Sequence, residues 1–396
     1  MNHFEELEGA YGAAAFMKFP LTLVRGKGPL VWDSDGKEYI DFMTAYGVAL
    51  VGHSNDDVAR AVSEQAAKLI TCHGSFYNDV RAEFLEKLAK VAPRGLGKAL
   101  LTNSGTETVE AAIKLARRKT GKKRIISMKG GFHGKTYGAL SATWSKKYRD
   151  PFGPLLEGFE FADYGDPLSL SQLVDADTAA VIAEPIQGES GIVVPPPGYL
   201  KQVREICDRA GALLILDEIQ TGLGRTGKMW ASEHFGVVPD IMTVSKGLGG
   251  GVPIGAVVTS DEVAGSLKGG EHTSTFAGNP LSCAAGSATL DYITKNDLPS
   301  QAATKGAAMK SELEKLASAH KLVREVRGMG LMLAMQTRVD IHEQLLASQK
   351  KGVIFGYSGR DTFRFLPSLV IQQSQISRGI EVLGEVIGEE EARRFQ

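Results

Sequence analysis

Residues 213–251 read LLILDEIQTGLGRTGKMWASEHFGVVPDIMTVSKGLGGG and hold two short apolar runs, 213–216 and 241–244. Neither run alternates with polar residues. Each therefore predicts a strand buried on both faces, the pattern of a parallel sheet covered by helices. The first run stops at Asp217-Glu218 and the second at Ser245-Lys246, followed by glycines. Parallel neighbours end at the same edge of a sheet, which would bring a carboxylate and an amine to one place. Taken singly, the two residues also fit a turn cap and a solvated lysine, so the neighbouring segments have to decide.

Upstream, Pro195 to Pro197 introduce a helix in which Leu200, Val203, Ile206, Cys207 and Ala210 share one face, with Gly211 at its C-terminus. Before it, the apolar strand 179–183 ends in Glu184-Pro185 and then Gln187-Gly188-Glu189. The strand 124–128 ends in Gly130-Gly131-Phe132-His133-Gly134, where the aromatic fits either a face for a planar ligand or a packed turn. The strand 99–101 runs into Asn103-Ser104-Gly105-Thr106-Glu107 and a helix over 109–118. Ser104 with Glu107 three residues on is a capping-box pattern. The free N–H groups at such a helix start, beside a glycine, also make an anion site. Downstream, the glycine-rich 249–255 leads into a strand over 256–259, the loop-like HTSTFAGNP covers 272–280, and a long helix begins near 281. Strand alternating with helix predicts an α/β fold whose site lies at the carboxyl ends of the strands. Five polar, glycine-containing strand ends at one edge read as one site.

The two ends of the chain differ in character. Residues 1–20 are weakly patterned and expected at the surface or against another subunit. TLVRG, PLVWD and KEYIDF then predict short strands, with Asp33-Ser34-Asp35-Gly36 as a hairpin turn, and helical spacing follows over 56–70 and 80–90. Beyond about 296, two helical stretches near 300–319 and 372–394 flank the short strands LVREV, LMLAMQ, GVIFGY and FRFLP, an α+β unit. The charged tail, with Glu389, Glu390, Glu391, Arg393 and Arg394, is expected to be a solvated helix end.

A chain of 396 residues exceeds one ordinary core, so a large domain and a smaller one are expected. With 43% hydrophobic and 23% charged residues it has the composition of a soluble globular protein. A net charge of -1 excludes bulk binding to nucleic acid or a membrane surface, and no apolar run approaches the ~20 residues of a membrane span. The start, MNHFEELEGAYG, has no secretory pattern. Cys72, Cys207 and Cys283 have neither a disulfide framework nor metal-ligand spacing, and they point to a reducing, cytoplasmic setting.

The paired amine and carboxylate match the way proteins tune pyridoxal phosphate (PLP). A lysine joins the cofactor's aldehyde, and a carboxylate keeps its ring nitrogen protonated. The motifs NSGTE at 103–107, FHG at 132–134, EPIQGE at 184–189, LDEIQTGLGRTG at 216–227, SKGLGGG at 245–251, STFAGNPL at 274–281 and RFLPSLVI at 364–371 extend that reading along the chain. In order and spacing they resemble the class III aminotransferases of PLP fold type I over nearly the whole length. The resemblance implies a mostly parallel seven-stranded sheet in a large domain, residues 46–290. It also implies a smaller α+β domain built from residues 1–45 and 291–396, and a homodimer.

Carried over onto matching positions, the resemblance implies that Lys246 holds the cofactor covalently and Asp217 pairs with its ring nitrogen. Gln220 lies near the ring hydroxyl, and Phe132, with His133 beside it, faces the ring. Ser104, Gly105 and Thr106 bind the phosphate at the helix start, joined by Thr275 from the other subunit. Glu184 supports the site from behind. Arg364 grips a substrate carboxylate, and Glu189 pairs with it when that substrate is absent. Tyr46 and Ser274 lie at the substrate end, as does Lys135, which stands where most relatives have an arginine. Lysine keeps the charge but loses the bidentate fork.

Within the family the sequence resembles the acetylornithine aminotransferases. Through residues 139–152 it also resembles archaeal relatives that act on aminoadipate or glutamate semialdehyde attached to an acidic amino-group carrier protein. Lys146, Lys147 and Arg149 so near the site would suit an acidic partner, and they fit an ordinary solvated basic loop as well. The implied reaction moves an amino group between the distal amine of an N-blocked diamino acid, free or carrier-linked, and 2-oxoglutarate, in lysine or arginine biosynthesis. Ornithine and 4-aminobutyrate are the alternative donors, and an aminomutase of the same fold is a further alternative.

Overall fold

The computed structural model describes residues 2–395. Its largest sheet has seven strands in the order Lys98–Thr102, Gly255–Thr259, Ile241–Val244, Leu213–Asp217, Thr178–Ala183, Arg124–Met128 and Phe159–Ala162. Only Gly255–Thr259 runs against the others, pairing antiparallel with both of its neighbours. All six residues of Thr178–Ala183 and all four of Ile241–Val244 are buried. Each Val, Leu or Ile among them contributes about 1.5–3 kcal/mol by leaving water. Leu213–Asp217 and Ile241–Val244 are direct parallel neighbours, with Asp217 opposite Thr243, so the acid and the lysine do leave the sheet side by side.

Helices lie between the strands, as the alternation predicts. Gly105–Thr120 is longer than expected and ends at Gly121, whose φ of +71° suits the left-handed cap that glycine adopts freely. Tyr199–Ala210 buries Leu200, Val203, Ile206 and Cys207 and stops at Gly211. Pro280–Lys295 is capped by Asn279, whose side chain accepts from the Ser282 N–H, and it crosses residue 290 without a break.

Two four-stranded sheets complete the chain. Leu23–Lys27, Leu30–Asp33 and Glu38–Asp41 form the predicted hairpins, and Val353–Ile354 joins them in parallel, which ties the two ends of the chain together. Val323–Met329, Met332–Thr337, Thr362–Phe365 and Gly356–Ser358 form the second, wholly antiparallel sheet.

Several expectations need correction. Residues 3–11 do lie at the surface, but in a regular helix, His3–Tyr11, that buries no residue and has a full capping box on Asn2 and Glu5. A third helix, His342–Lys350, sits among the C-terminal strands. The charged tail is not simply solvated. Glu390 is buried against Arg393 and Arg394, and Glu391 accepts from His320 and the Leu322 N–H. Among the described residues no helix is long and apolar enough to cross a membrane.

Candidate active site

The ends of the parallel strands enclose a cavity of about 320 Å³. It is lined by the predicted residues Gly105, Thr106, Phe132, His133, Lys135, Glu184, Glu189, Asp217, Gln220 and Lys246, together with Gly134 and Ile219. Two local backbones explain the motifs. Lys246 begins a short 3-10 turn with φ +37°, a strained value for a residue with a side chain. Gly134 has φ +135°, and a Cβ there would lie 2.3 Å from Thr106 Oγ1. The FHG glycine therefore lets one strand end press against the helix start of another.

Asp217 is the best-organised acid. Its side chain is 4% exposed; Oδ2 lies 2.7 Å from His133 Nδ1, and Oδ1 accepts from the Ile219 N–H at 3.1 Å. His133 Nε2 is buried with no hydrogen-bond partner among the described residues. An imidazole donating from Nδ1 to the carboxylate fixes the aspartate and supports its negative charge. Glu184 accepts from two backbone donors, Phe132 N–H at 3.0 Å and Gly188 N–H at 2.9 Å, and so joins the aromatic wall to the Glu189 segment. Burial pushes its carboxyl up to about 7, against the opposing effect of His133. Burial also holds the Lys246 amine below the usual lysine range, with Glu189 opposing. A lysine that loses its proton more easily is a better nucleophile and base at neutral pH.

At the opposite end, Arg364 is fully buried. Its Nη1 donates to Glu189 Oε1 at 2.9 Å and its Nη2 to Gln220 Oε1 at 3.1 Å. Burial works upward on the Glu189 carboxyl, but Arg364 and then Lys246 outweigh it and keep the group below its ordinary value. The Tyr46 ring stands 5.3 Å from the Arg364 guanidinium carbon. Tyr46 lies in a run of left-handed residues: Thr44, Ala45, Tyr46 and Gly47 have φ of +45°, +52°, +59° and +94°. The run is held by Asp41 Oδ1, which accepts from the Met43 and Thr44 N–H groups, and by Thr44 Oγ1 donating to Leu366 O at 2.6 Å.

Five expected residues stand outside this cavity lining: Arg364 and Tyr46, just described, and Ser104, Ser274 and Thr275. Ser104 caps the helix, accepting from the Glu107 N–H at 3.4 Å. The capping box is only half made, because the Glu107 carboxylate accepts from the N–H of Asn103, one residue before the cap. Ser274 accepts from Asn103 Nδ2 at 3.0 Å, at the helix-start end of the site. Thr275 is exposed, beside a cleft of about 500 Å³ lined by residues 73–78, Gly270 and residues 272–274 among others. Of the basic loop, Lys146 and Lys147 face solvent, while Arg149 packs over Phe161 at 4.7 Å.

Sequence reading missed the His133–Asp217 contact and the Gln220–Arg364 contact, each of which joins distant segments. It also missed Glu110, whose Oε1 accepts from Thr136 Oγ1 and the Gly138 and Ala139 N–H groups. In Thr136 and Gly138 the only trace was polar and glycine residues after FHG.

The residues present fit PLP. The cavity has a buried acid for a ring nitrogen, an amine with a lowered pKa, an aromatic and an aliphatic residue for a planar ring, and a helix start for a phosphate.

Comparison with known proteins agrees with that fit. The model of the family described as aminotransferase class-III matches residues 11–387. An acetylornithine aminotransferase of Methanopyrus kandleri is 44% identical, over 96% of this chain and 98% of that one. A [LysW]-aminoadipate semialdehyde transaminase of Deinococcus radiodurans is also 44% identical, over 96% of this chain and 89% of its own. Among solved structures, the ornithine aminotransferase of Toxoplasma gondii, described with partial PLP occupancy at its active site, superposes with a TM-score of 0.95. It is 33% identical and covers 99% of this chain and 96% of its own.

Proposed function

The chain belongs to the class-III aminotransferases, enzymes that work with pyridoxal phosphate, and from that premise we propose the donor, the acceptor and the residue roles. The donor is the distal amine of an N-blocked diamino acid: acetylornithine, or lysine or ornithine linked to an acidic carrier protein. The acceptor is 2-oxoglutarate, and the pathway is arginine or lysine biosynthesis. The observation that carries this reading is the Glu189–Arg364 pair, with Lys135 as a second cation at the cavity lining. While Glu189 covers Arg364, an amine with no nearby carboxylate can approach. When Glu189 moves away, Arg364 is free for the α-carboxylate of glutamate, and one site accepts two differently shaped amines. The names of the M. kandleri and D. radiodurans relatives support both donor classes. Ornithine is the second reading, favoured by Tyr46 over Arg364 and by the T. gondii likeness.

When bound, the cofactor supplies the electron sink that lets the amine-bearing carbon give up its proton. Lys246 Nζ would take that proton and return it to a neighbouring carbon. Asp217, oriented by His133, would hold the ring nitrogen protonated, and Phe132 and Ile219 would cover the ring faces. Gly105 and Thr106 would hold the phosphate at the helix start capped by Ser104. Gln220 would sit beside the ring hydroxyl.

A single-turnover screen of the PLP-loaded protein tests the substrate reading, using acetylornithine, ornithine, 4-aminobutyrate, glutamate and carrier-linked lysine. The expected result is fast reaction with an N-blocked donor and with glutamate. Equal or faster reaction of free ornithine would replace the first reading with the second. In the same screen, Glu189→Gln is expected to shift the ratio of glutamate to distal-amine rates about tenfold toward glutamate, because Arg364 loses its competing charge. An unchanged ratio would remove the switch.

We also propose a homodimer in which Thr275 completes the partner's phosphate site. In support, Phe76 and Phe276 are 69% and 65% exposed beside the cleft next to Thr275, an apolar display that single chains seldom leave uncovered. Sedimentation at falling protein concentration, with activity followed in parallel, is expected to show activity lost together with the dimer. A fully active monomer would refute the arrangement.

A further inference from the structure

Tyr148 belongs to the short helical turn Lys146–Arg149, outside the strand ends that form the site, yet its ring meets two residues of one of them. It packs edge-on against Phe132, with centroids 5.7 Å apart and planes at 75°. Lys135 Nζ stands 4.8 Å from its centroid, and Lys147 Nζ 5.9 Å. Both are within the range over which an aromatic face attracts a cation. The backbone on either side of Lys135 is pinned. The His133 N–H donates to Thr143 Oγ1 at 3.0 Å, and the Thr136 N–H to Thr106 Oγ1 at 3.2 Å. The freedom left to Lys135 is in its long side chain. Burial raises the Tyr148 hydroxyl, with Glu189 and Tyr357 adding to the effect, so the phenol stays neutral. Its hold on the ammonium is therefore that of a ring face and not of an ion pair.

We infer that Tyr148 is a positioning residue for donor selection: its ring fixes the Lys135 ammonium at the cavity, ready for a carboxylate remote from the transferred amine. The inference rests on the proposed donor class. A lysine must lose side-chain freedom to grip a carboxylate, and a ring that holds it beforehand lowers that cost. The arrangement supplies part of the geometry that an arginine fork would bring by itself.

The test uses the PLP-loaded enzyme and two donors, acetylornithine and 1,4-diaminobutane, which has no carboxylate. The readout is the ratio of their kcat/KM values. Lys135→Met is expected to lower the ratio, and Tyr148→Leu to lower it about fivefold, chiefly through the KM of acetylornithine. Tyr148→Phe keeps the ring face and is expected to keep the ratio. The double variant Lys135→Met/Tyr148→Leu is expected to be no worse than Lys135→Met alone, because both changes remove one device. Should the leucine variant fold poorly, trifluorophenylalanine at position 148 preserves the shape while draining the ring face, and it is expected to behave as leucine does. A Tyr148 effect that adds to the Lys135 effect, or an unchanged ratio in the leucine or fluorinated variant, overturns the inference while leaving the donor class intact. A Lys135→Met enzyme with an unchanged ratio overturns the role of Lys135 and the inference with it.

Discussion

Lys246→Ala is expected to lose amino-group transfer by a factor on the order of 10⁴ or more, and to release the cofactor on dialysis. Two functions would go at once. The proposed covalent hold on the cofactor would disappear, and so would the proposed base, which by itself is worth roughly 10²–10⁴ in rate. The position is built for this residue. Its strand ends beside that of Asp217, its φ is +37°, and burial lowers its amine below the ordinary lysine range. Lys246→Arg is expected to be as inactive, since a guanidinium does not give up its proton near neutral pH. Turnover and the visible absorbance of the loaded protein check both variants. An alanine enzyme with near-normal turnover would show that another residue carries the chemistry.

Asp217→Asn is expected to cost about 10³-fold in kcat, comparable to removing one preorganised charge-stabilising group from a closed site. The change is nearly isosteric. The amide oxygen can still accept from the Ile219 N–H, so the local turn should survive. The negative charge is what goes, and with it the reason for a ring nitrogen to stay protonated. The opposing imidazole, with Nε2 buried and unpartnered among the described residues, cannot replace it. Cofactor affinity should fall far less than kcat, which separates an electronic role from a binding one. Activity within tenfold of the parent would mean that Asp217 does not face the ring.

The readings that held depend on residues close together in the chain. Asp217 ends one buried strand and Lys246 lies two residues beyond the end of its neighbour, and parallel order brings such ends to one edge whatever the distant contacts are. The pair Arg364–Glu189 spans 175 residues and Arg364–Gln220 spans 144, so no local pattern shows that they touch. Without a known family to compare with, Arg364 would have read as one more strand arginine. The edge strand Phe159–Ala162 escaped notice because it has four half-buried or buried residues and no apolar run. The helix His342–Lys350 escaped because Gln, Ser and Lys blur its apolar face. Ser104 and Glu107 misled in a small way. The motif was right for a cap, but the Glu107 carboxylate reached one residue further back than the rule requires.

The left-handed run at Tyr46 bears on how the enzyme is made. Left-handed backbone costs roughly 1–2 kcal/mol for each residue with a Cβ, and Thr44, Ala45 and Tyr46 all carry one. The turn is kept by the Thr44 hydroxyl on the carbonyl of Leu366, and by the Leu366 N–H on Phe42 O. Leu366 follows Thr44 by 322 residues. At a synthesis rate of about 5–20 residues per second, Tyr46 waits roughly 16–64 s for that partner to leave the ribosome. A nascent chain can thus complete the cofactor end well before the tyrosine that faces Arg364 is in place. The end of the cavity proposed above to sort substrates is assembled only once Leu366 has been made, and a product terminated before that residue lacks it.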